Sequence, residues 1–476
     1  MAHKLKRFEQ LAEQIADMIR SGVLAAGERV PSVRQASERY SVSPATVFRA
    51  YYLLEDRGLI QARERSGYFV RPQGRPHLAQ SHAVRAPAAA TEVAVSEPVF
   101  SVLGSLRDPA TVPFGSAFPA ASLFPLGRLG RSMARAVQRL SAHAMIADMT
   151  TGNPELVRQI ALRYSLSGVD LPPDALVITT GAMEALNLCL QAVTEPGDLV
   201  AIEAPAFYAS LQVLERLKLR AVEIPVRPAG GIDLDALEHT LERLPIKACW
   251  LMSNFQNPLG ATLSDADKAR LCALLSQREV PLIEDDVYAE LYFASTPPRP
   301  VKSFDTQGWV MHCGSFSKSL APGYRVGWAA AGRFTEKVAR LKLMTTISPS
   351  VPAQAAIADY LQHGGYDRHL RKLRHSLEGQ QQAMLAAAAR YFPEQTRVTH
   401  PAGGYFLWFE FPRKLDALTL FHQAFAAGIS VAPGPIFSAT QGFGQCVRLN
   451  HGHPWEARSE QAMQTLGVLI SAQLHG

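Results

Sequence analysis

Apolar side chains recur at helical spacing near the start of the chain. Phe8, Leu11, Ile15, Met18 and Ile19 share one stripe of residues 6–21, and Ser21-Gly22 is expected to end that helix. Pro31-Ser32 opens a second helix through Tyr40. Ser43 is a good N-cap and Pro44 suits a first turn, so a third helix is predicted to about Arg57, with Gly58 as its stop. Its buried stripe is Val47, Ala50, Tyr51 and Leu54, while Ala45, Thr46, Phe48, Arg49 and Tyr52 fall towards other faces. Residues 59–63 and 68–71 then read as two strands around Glu64-Arg65-Ser66-Gly67. Two short helices joined by a tight turn, with a hairpin behind them, predict a helix-turn-helix with a wing.

The pattern changes twice more. Residues 72–98 are dominated by proline, alanine and polar residues with no lasting apolar period, the composition of a flexible tether. From about Val99 short apolar runs alternate with helical stretches. The strand candidates are Leu176–Thr179, Leu199–Glu203, Ala221–Ile224, Ala248–Ser253, Pro281–Asp285, Val310–Gly314 and Val326–Ala330. That alternation predicts a largely parallel sheet covered on both faces, with ligands gathered at the carboxyl ends of its strands. A smaller C-terminal α+β region, about 385–476, includes Pro401–Glu410. The chain therefore divides into a small head at 1–71, a tether at 72–98 and a large domain at 99–476.

Charge sharpens the contrast between head and body. The net charge is +6, and residues 1–75 hold thirteen Lys and Arg against eight Asp and Glu. Nearly all the excess sits on the head, which points to a polyanion partner there. No apolar run reaches the ~18 residues of a membrane span, and the charged N-terminus is not that of a signal peptide, so a cytoplasmic protein is expected. Cys189, Cys249, Cys272, Cys313 and Cys446 are scattered, with no metal-ligand spacing, and read as buried reduced thiols. His451 and His453 read as surface residues, and no metal is expected.

The run Ser315-Phe-Ser-Lys-Ser-Leu-Ala-Pro-Gly-Tyr-Arg-Val-Gly-Trp328 carries the most chemistry. It sets Lys318 between hydroxyls and an arginine. A pyridoxal 5'-phosphate (PLP) site needs such an amine for a Schiff base, with donors and a positive charge for the phosphate. Other motifs fall at strand ends. Thr179-Thr-Gly-Ala-Met opens a helix, where the Gly181 and Ala182 amides would cradle a phosphate. Phe207, Asn257 in an Asn-Pro-x-Gly pattern, and Asp285 with Tyr288 complete the series. Taken singly, these are a turn, a core aromatic and a strand-end acid cluster; their order and combination make the case.

The head resembles the winged helix of the GntR family, through Val30–Arg34, Val42–Val47, Leu54–Ile60 and Ser66–Val70. Residues 99–470 resemble fold-type-I aminotransferases, and the whole chain resembles the MocR/GabR-type subfamily of GntR regulators. The resemblance implies contacts to double-stranded operator DNA from Arg34, from Ser43, Pro44, Ala45 and Thr46 with Arg49, and from Arg65 and Gly67. Many family members carry arginine where this chain has Pro44. The resemblance also implies PLP as cofactor, with Lys318 as its Schiff-base lysine and Asp285 at the pyridinium nitrogen. Asn257 and Tyr288 would bond the ring's 3' oxygen, and Phe207 would stack on its face. Gly181, Ala182, Ser315 and Arg325 would hold the phosphate, and Arg448 would take an α-carboxylate. His451 stands where the family usually has an aromatic residue. A homodimer is expected, domain-swapped because the tether can place a head on another subunit. The implied function is a transcriptional regulator that senses PLP, a small amino compound or their adduct. The alternative is a working aminotransferase with a DNA-binding head.

Overall fold

The computed structural model describes residues 6–20, 23–24, 28–56, 59–63, 67–70, 78–81, 89–104 and 110–475. It divides into two compact units, 1–77 and 78–476.

In the head, α1 (Arg7–Arg20) precedes α2 (Val33–Tyr40) and α3 (Pro44–Asp56). A capping box fixes the start of α2: the Ser32 hydroxyl accepts from the Gln35 amide, and the Gln35 side chain accepts from the Ser32 amide. Ser41, left-handed at φ 50, ends it. The chain turns at once into α3, where Ser43 Oγ accepts from the Thr46 amide at 3.2 Å, as its N-cap role predicts. Strands β1 (Ile60–Arg63) and β2 (Gly67–Val70) pair antiparallel from Ile60↔Val70 to Arg63↔Gly67. Residues 28–30 add to the far edge of β2, through Val30 N to Tyr68 O at 3.0 Å and Val70 N to Glu28 O at 2.8 Å. Leu11, Ile15, Ile19, Val47, Ala50, Tyr51, Leu54 and Ile60 are in the core, so the predicted stripes are the buried ones, save that Phe8 and Met18 are half-buried. The predicted stops at Ser21-Gly22 and Gly58 lie outside the described residues.

The second unit holds a nine-stranded sheet among the described residues. Its centre is parallel, running from Arg220–Arg227 through Leu199–Ala204, Ile246–Leu251 and Leu282–Asp285 to Val310–Ser315. Gly327–Ala330 pairs antiparallel with Val310–Ser315, and Leu176–Thr179 pairs antiparallel with Gly327–Ala330, which returns it to the direction of the centre. Each predicted strand is present, with ends moved by a few residues. These strands are buried along almost their whole length, which is why they read as continuous apolar runs. A four-stranded antiparallel sheet forms the smaller C-terminal layer, with Phe406–Glu410 and Cys446–Asn450 at its centre.

The expected tether is corrected over part of its length. Ala90–Glu92 forms an edge strand, β3, antiparallel to Arg220–Arg227. Glu215 then accepts from the Val95 and Ser96 amides, both at 3.0 Å, and from the Ser96 hydroxyl at 2.9 Å. Earlier still, Ala79 bridges Arg397, and the Ser81 hydroxyl donates to Glu410 at 2.8 Å. Backbone pairing at an open sheet edge, the Glu215 and Glu410 carboxylates and burial of Val93, Val95 and Val99 in the main core hold these segments. The rest of the expected tether, 72–77 and 82–88, lies outside the described residues.

Candidate functional site

The site forms where the parallel strands end. Asp285 closes its strand opposite Cys313, two residues before the end of the neighbouring strand, and Lys318 follows three residues after Ser315. The turn that carries the lysine is pinned at Ser319, whose hydroxyl meets the Tyr366 hydroxyl at 2.8 Å and whose carbonyl meets His369 Nε2 at 2.7 Å.

Thr179, Gly327 and Ser315 lie side by side across three strands. Gly181, at φ 78, caps the Ala182–Val193 helix with no side chain on its first amides. The backbone there is closely packed: a Cβ on Gly181 would collide with the Arg325 guanidinium, and one on Gly327 would lie 2.5 Å from Gly181 C. Arg325 reaches the Ser317 hydroxyl at 3.1 Å and the Thr180 carbonyl at 3.4 Å. The Gly181 amide donates to Thr179 O at 2.9 Å, so the first helical amides from Ala182 on, a hydroxyl strand end and a guanidinium make up the cradle suited to a phosphate.

Asp285 is buried, and its Oδ1 makes no hydrogen bond among the described residues. Burial pushes its carboxyl up to about 7, with Asp286 adding to the rise and Lys318 opposing it. Burial holds the Lys318 ammonium down to about 7, with Arg448 adding and Asp285 opposing. An orphaned buried carboxylate oxygen calls for a donor such as a ring N–H, and an amine held near neutrality is ready to act as a nucleophile. The residues present fit PLP on these grounds.

Asn257 links two further predicted residues. Its Nδ2 donates to the Tyr288 hydroxyl at 3.4 Å, and its Oδ1 accepts from Arg448 at 3.0 Å. Phe207 is half-buried against the same aromatic cluster as Tyr288. Arg448 sits fully buried between the Phe406 and Phe437 rings, 4.2 and 5.2 Å from their centroids. Burial pushes its pKa down, while the nearby Tyr208, Tyr288 and Tyr405 oppose that.

Sequence reasoning missed the segment 115–118. Arg448 donates to Gly115 O at 2.7 Å and Ser116 O at 3.1 Å. Lys318 Nζ donates to Ala117 O at 2.8 Å, and so does the Tyr405 hydroxyl at 3.0 Å. The Lys318 ammonium also lies 3.6 Å from the Phe118 ring centroid. This segment acts through carbonyls, which every residue has, so no residue type announces it; Tyr405, beside the Gly403-Gly404 pair, was the visible signal. His451 is corrected: it is buried rather than at the surface, its ring nitrogens find no partner among the described residues, and burial pushes its pKa down to about 3. His453 is half-buried. All five cysteines are buried and unpaired, as expected. Among the described residues no cluster of His, Cys, Asp or Glu could hold a metal ion.

On the head, Arg34 is exposed and pairs with Glu38, at 3.1 Å. Ser43, Pro44, Ala45 and Arg49 are exposed along the first turns of α3, and Thr46 is half-buried. Gly67 is exposed at φ 94, a conformation that favours glycine. Arg65 lies outside the described residues.

A winged helix-turn-helix joined to this fold and site defines a DNA-binding regulator with an aminotransferase-like domain. Comparison with known proteins agrees. Residues 7–70 match the model of bacterial regulatory proteins of the gntR family, and residues 131–466 match that of class I and II aminotransferases. The chain is 47% identical to the uncharacterized HTH-type transcriptional regulator YdcR of Escherichia coli, over 99% of this chain and 100% of the relative. It is 29% identical to aromatic-amino-acid aminotransferase 1 of Thermococcus litoralis, over 76% of this chain and 88% of that one. The solved multiple substrate aminotransferase of Thermococcus profundus superposes with a TM-score of 0.73 at 27% identity, over 80% of this chain and 96% of that one. The α-aminoadipate aminotransferase LysN of Thermus thermophilus gives 0.71 at 28%, over 80% and 100%. The chain belongs to the GntR-type regulators of the MocR-like kind, in which the helix-turn-helix is fused to a class I and II aminotransferase domain.

Proposed function

We propose that the protein binds operator DNA through its head and reads the level of PLP, of a small amino compound, or of both, through Lys318. The buried Lys318–Asp285 pair beside the Gly181–Arg325 cradle carries this reading. When bound, PLP supplies an electrophilic carbonyl carbon and an electron-withdrawing ring. Lys318 would hold the carbonyl end, Asp285 the ring nitrogen, Asn257 and Tyr288 the 3' oxygen, and Phe207 the ring face. Gly181, Ala182, Ser315 and Arg325 would hold the phosphate. LysN was solved with N-(5'-phosphopyridoxyl)-L-leucine, a phosphopyridoxyl group joined to an amino acid, which supports the same ligand class here.

Arg448 is the carboxylate receptor in this reading. Its guanidinium is already matched to the Gly115 and Ser116 carbonyls. A ligand carboxylate would replace neutral acceptors with a charged one, and would release 115–118 from Arg448. That exchange gives the domain two arrangements that an amino acid can bias, which is what a sensor needs. We propose that the protein acts as a homodimer with its heads swapped between subunits.

Lys318→Ala tests the sensor. The proposal predicts that wild-type protein mixed with PLP gains the Schiff-base absorbance near ~420 nm and that the variant does not. Retention of the band by the variant would assign the cofactor to another lysine. The complete residue set also favours an enzyme reading. Steady turnover of an amino donor with a keto acid, at rates on the order of 1 per second or faster, would support that instead.

A further inference from the structure

A cavity of about 740 Å³ lies behind the lysine segment, and none of Lys318, Asp285 and Arg448 lines it. Its walls come from the Pro154–Leu166 helix, the loop after Asp286 and the first half of the Tyr366–Tyr391 helix; its floor is the back of the strands carrying Ser315 and Trp328. We infer that this cavity is a second small-molecule site, built for a free aromatic amino acid.

The floor supplies one open ring. Tyr164, Phe316 and Tyr366 are buried beneath it, with Arg163 covering the Tyr366 ring at 4.7 Å, and the half-buried Trp328, 5.0 Å from the Phe316 ring, carries the accessible aromatic surface. Their polar tips are already used. Trp328 Nε1 donates to the Tyr164 hydroxyl at 2.9 Å, that hydroxyl meets His312 Nδ1 at 2.6 Å, and His312 Nε2 meets Asp286 at 3.0 Å. What remains for a ligand at the floor is the flat ring of Trp328, which suits an aromatic side chain.

The arginines beside the floor are paired. Arg163 pairs with Glu290 and with Asp367, and Arg374 shares Glu290 while covering the Tyr292 ring. The mouth differs. Arg371, His375 and Glu378 stand at helical spacing on one face, all exposed. Arg371 and Glu378 make no ion pair or side-chain hydrogen bond among the described residues. One spare positive and one spare negative charge above an aromatic floor match the carboxylate, the ammonium and the ring of one zwitterion. A simple aromatic anion or cation would leave one of them unmatched. The volume lies in the ordinary range of ligand pockets, roughly 300–1,000 Å³. This inference stands apart from the role of Lys318, although Ser315, Phe316 and Trp328 belong to the segment that carries it.

Equilibrium dialysis of radiolabelled L-phenylalanine tests it, on wild-type protein and on Lys318→Ala, which cannot capture an amine covalently. Saturable binding of one molecule per chain is expected in both backgrounds, beyond any taken up at Lys318. Arg371→Ala and Glu378→Gln, both at exposed positions, should each weaken it at least tenfold without changing the thermal melt. Phenethylamine and 3-phenylpropionate, each with one charge, should bind at least tenfold more weakly. Absence of saturable binding to Lys318→Ala would overturn the inference. So would unchanged affinity in the two mouth variants, which would place the amino acid at Arg448. Either outcome leaves the absorbance test of Lys318 intact.

Discussion

At the scale of single residues, the chemistry rests on two groups that burial drives towards neutrality. Lys318 sits at about 7 instead of 10.5, so its amine is uncharged above pH 7 rather than above pH 10. PLP uptake, followed by absorbance, should therefore rise with pH through a midpoint near 7. A midpoint near 10.5 would show that the lysine is solvated. Asp285 moves the other way, from 3.8 up to about 7. A raised carboxyl binds its proton more tightly in the folded protein, so the cofactor-free protein should lose stability as pH rises between about 4 and 7. Asp285→Asn removes that loss and should be more stable than wild type at pH 8, by on the order of 2–4 kcal/mol, and nearly equal to it at pH 4. Urea melts at the two pH values check this. Equal melts at pH 8 would mean the carboxylate is compensated.

At the scale of elements, α2 and α3 present the DNA face. The Arg34–Glu38 pair is exposed and stabilises the head by no more than about 0.5 kcal/mol, so Arg34→Ala should leave the fold intact. It should weaken operator binding and lower the salt slope by about 1, as expected for one lost phosphate contact. Unchanged binding across a salt titration would remove Arg34 from the interface. These elements were legible because each declares itself locally: a capping box at Ser32, a hydroxyl cap at Ser43, and buried strands written as unbroken apolar runs. Lys318, Asp285, Asn257, Tyr288 and Arg448 were legible because their side chains carry distinctive chemistry. The strand at Ala90–Glu92 was not, since an edge strand of three residues is held by backbone pairing and by Glu215, far away in sequence. The 115–118 segment was hidden because its contribution is carbonyl oxygens. His451 misled because a histidine reads as polar until its surroundings are known.

At the scale of the whole molecule, the boundary between the units falls before Leu78, not at Val99. A fragment of residues 78–476 keeps the edge strand and the Glu215 anchor, and should be monodisperse and take up PLP. A fragment beginning at Val99 exposes the open edge of the Arg220–Arg227 strand and should aggregate, since an unpaired edge recruits other chains. Light scattering separates the two, and equal behaviour would mean β3 adds nothing. The division of labour between head and body leads to the central claim, that chemistry at Lys318 sets affinity for DNA. The direct measurement is a gel-shift titration of the promoter beside the protein's own gene, with and without PLP and candidate amines, on wild type and on Lys318→Ala. The account predicts that wild type retards the DNA with an affinity that changes on adding ligand, and that Lys318→Ala retards it with an affinity that does not change. No retardation under any condition, or the same ligand response in both proteins, would contradict it.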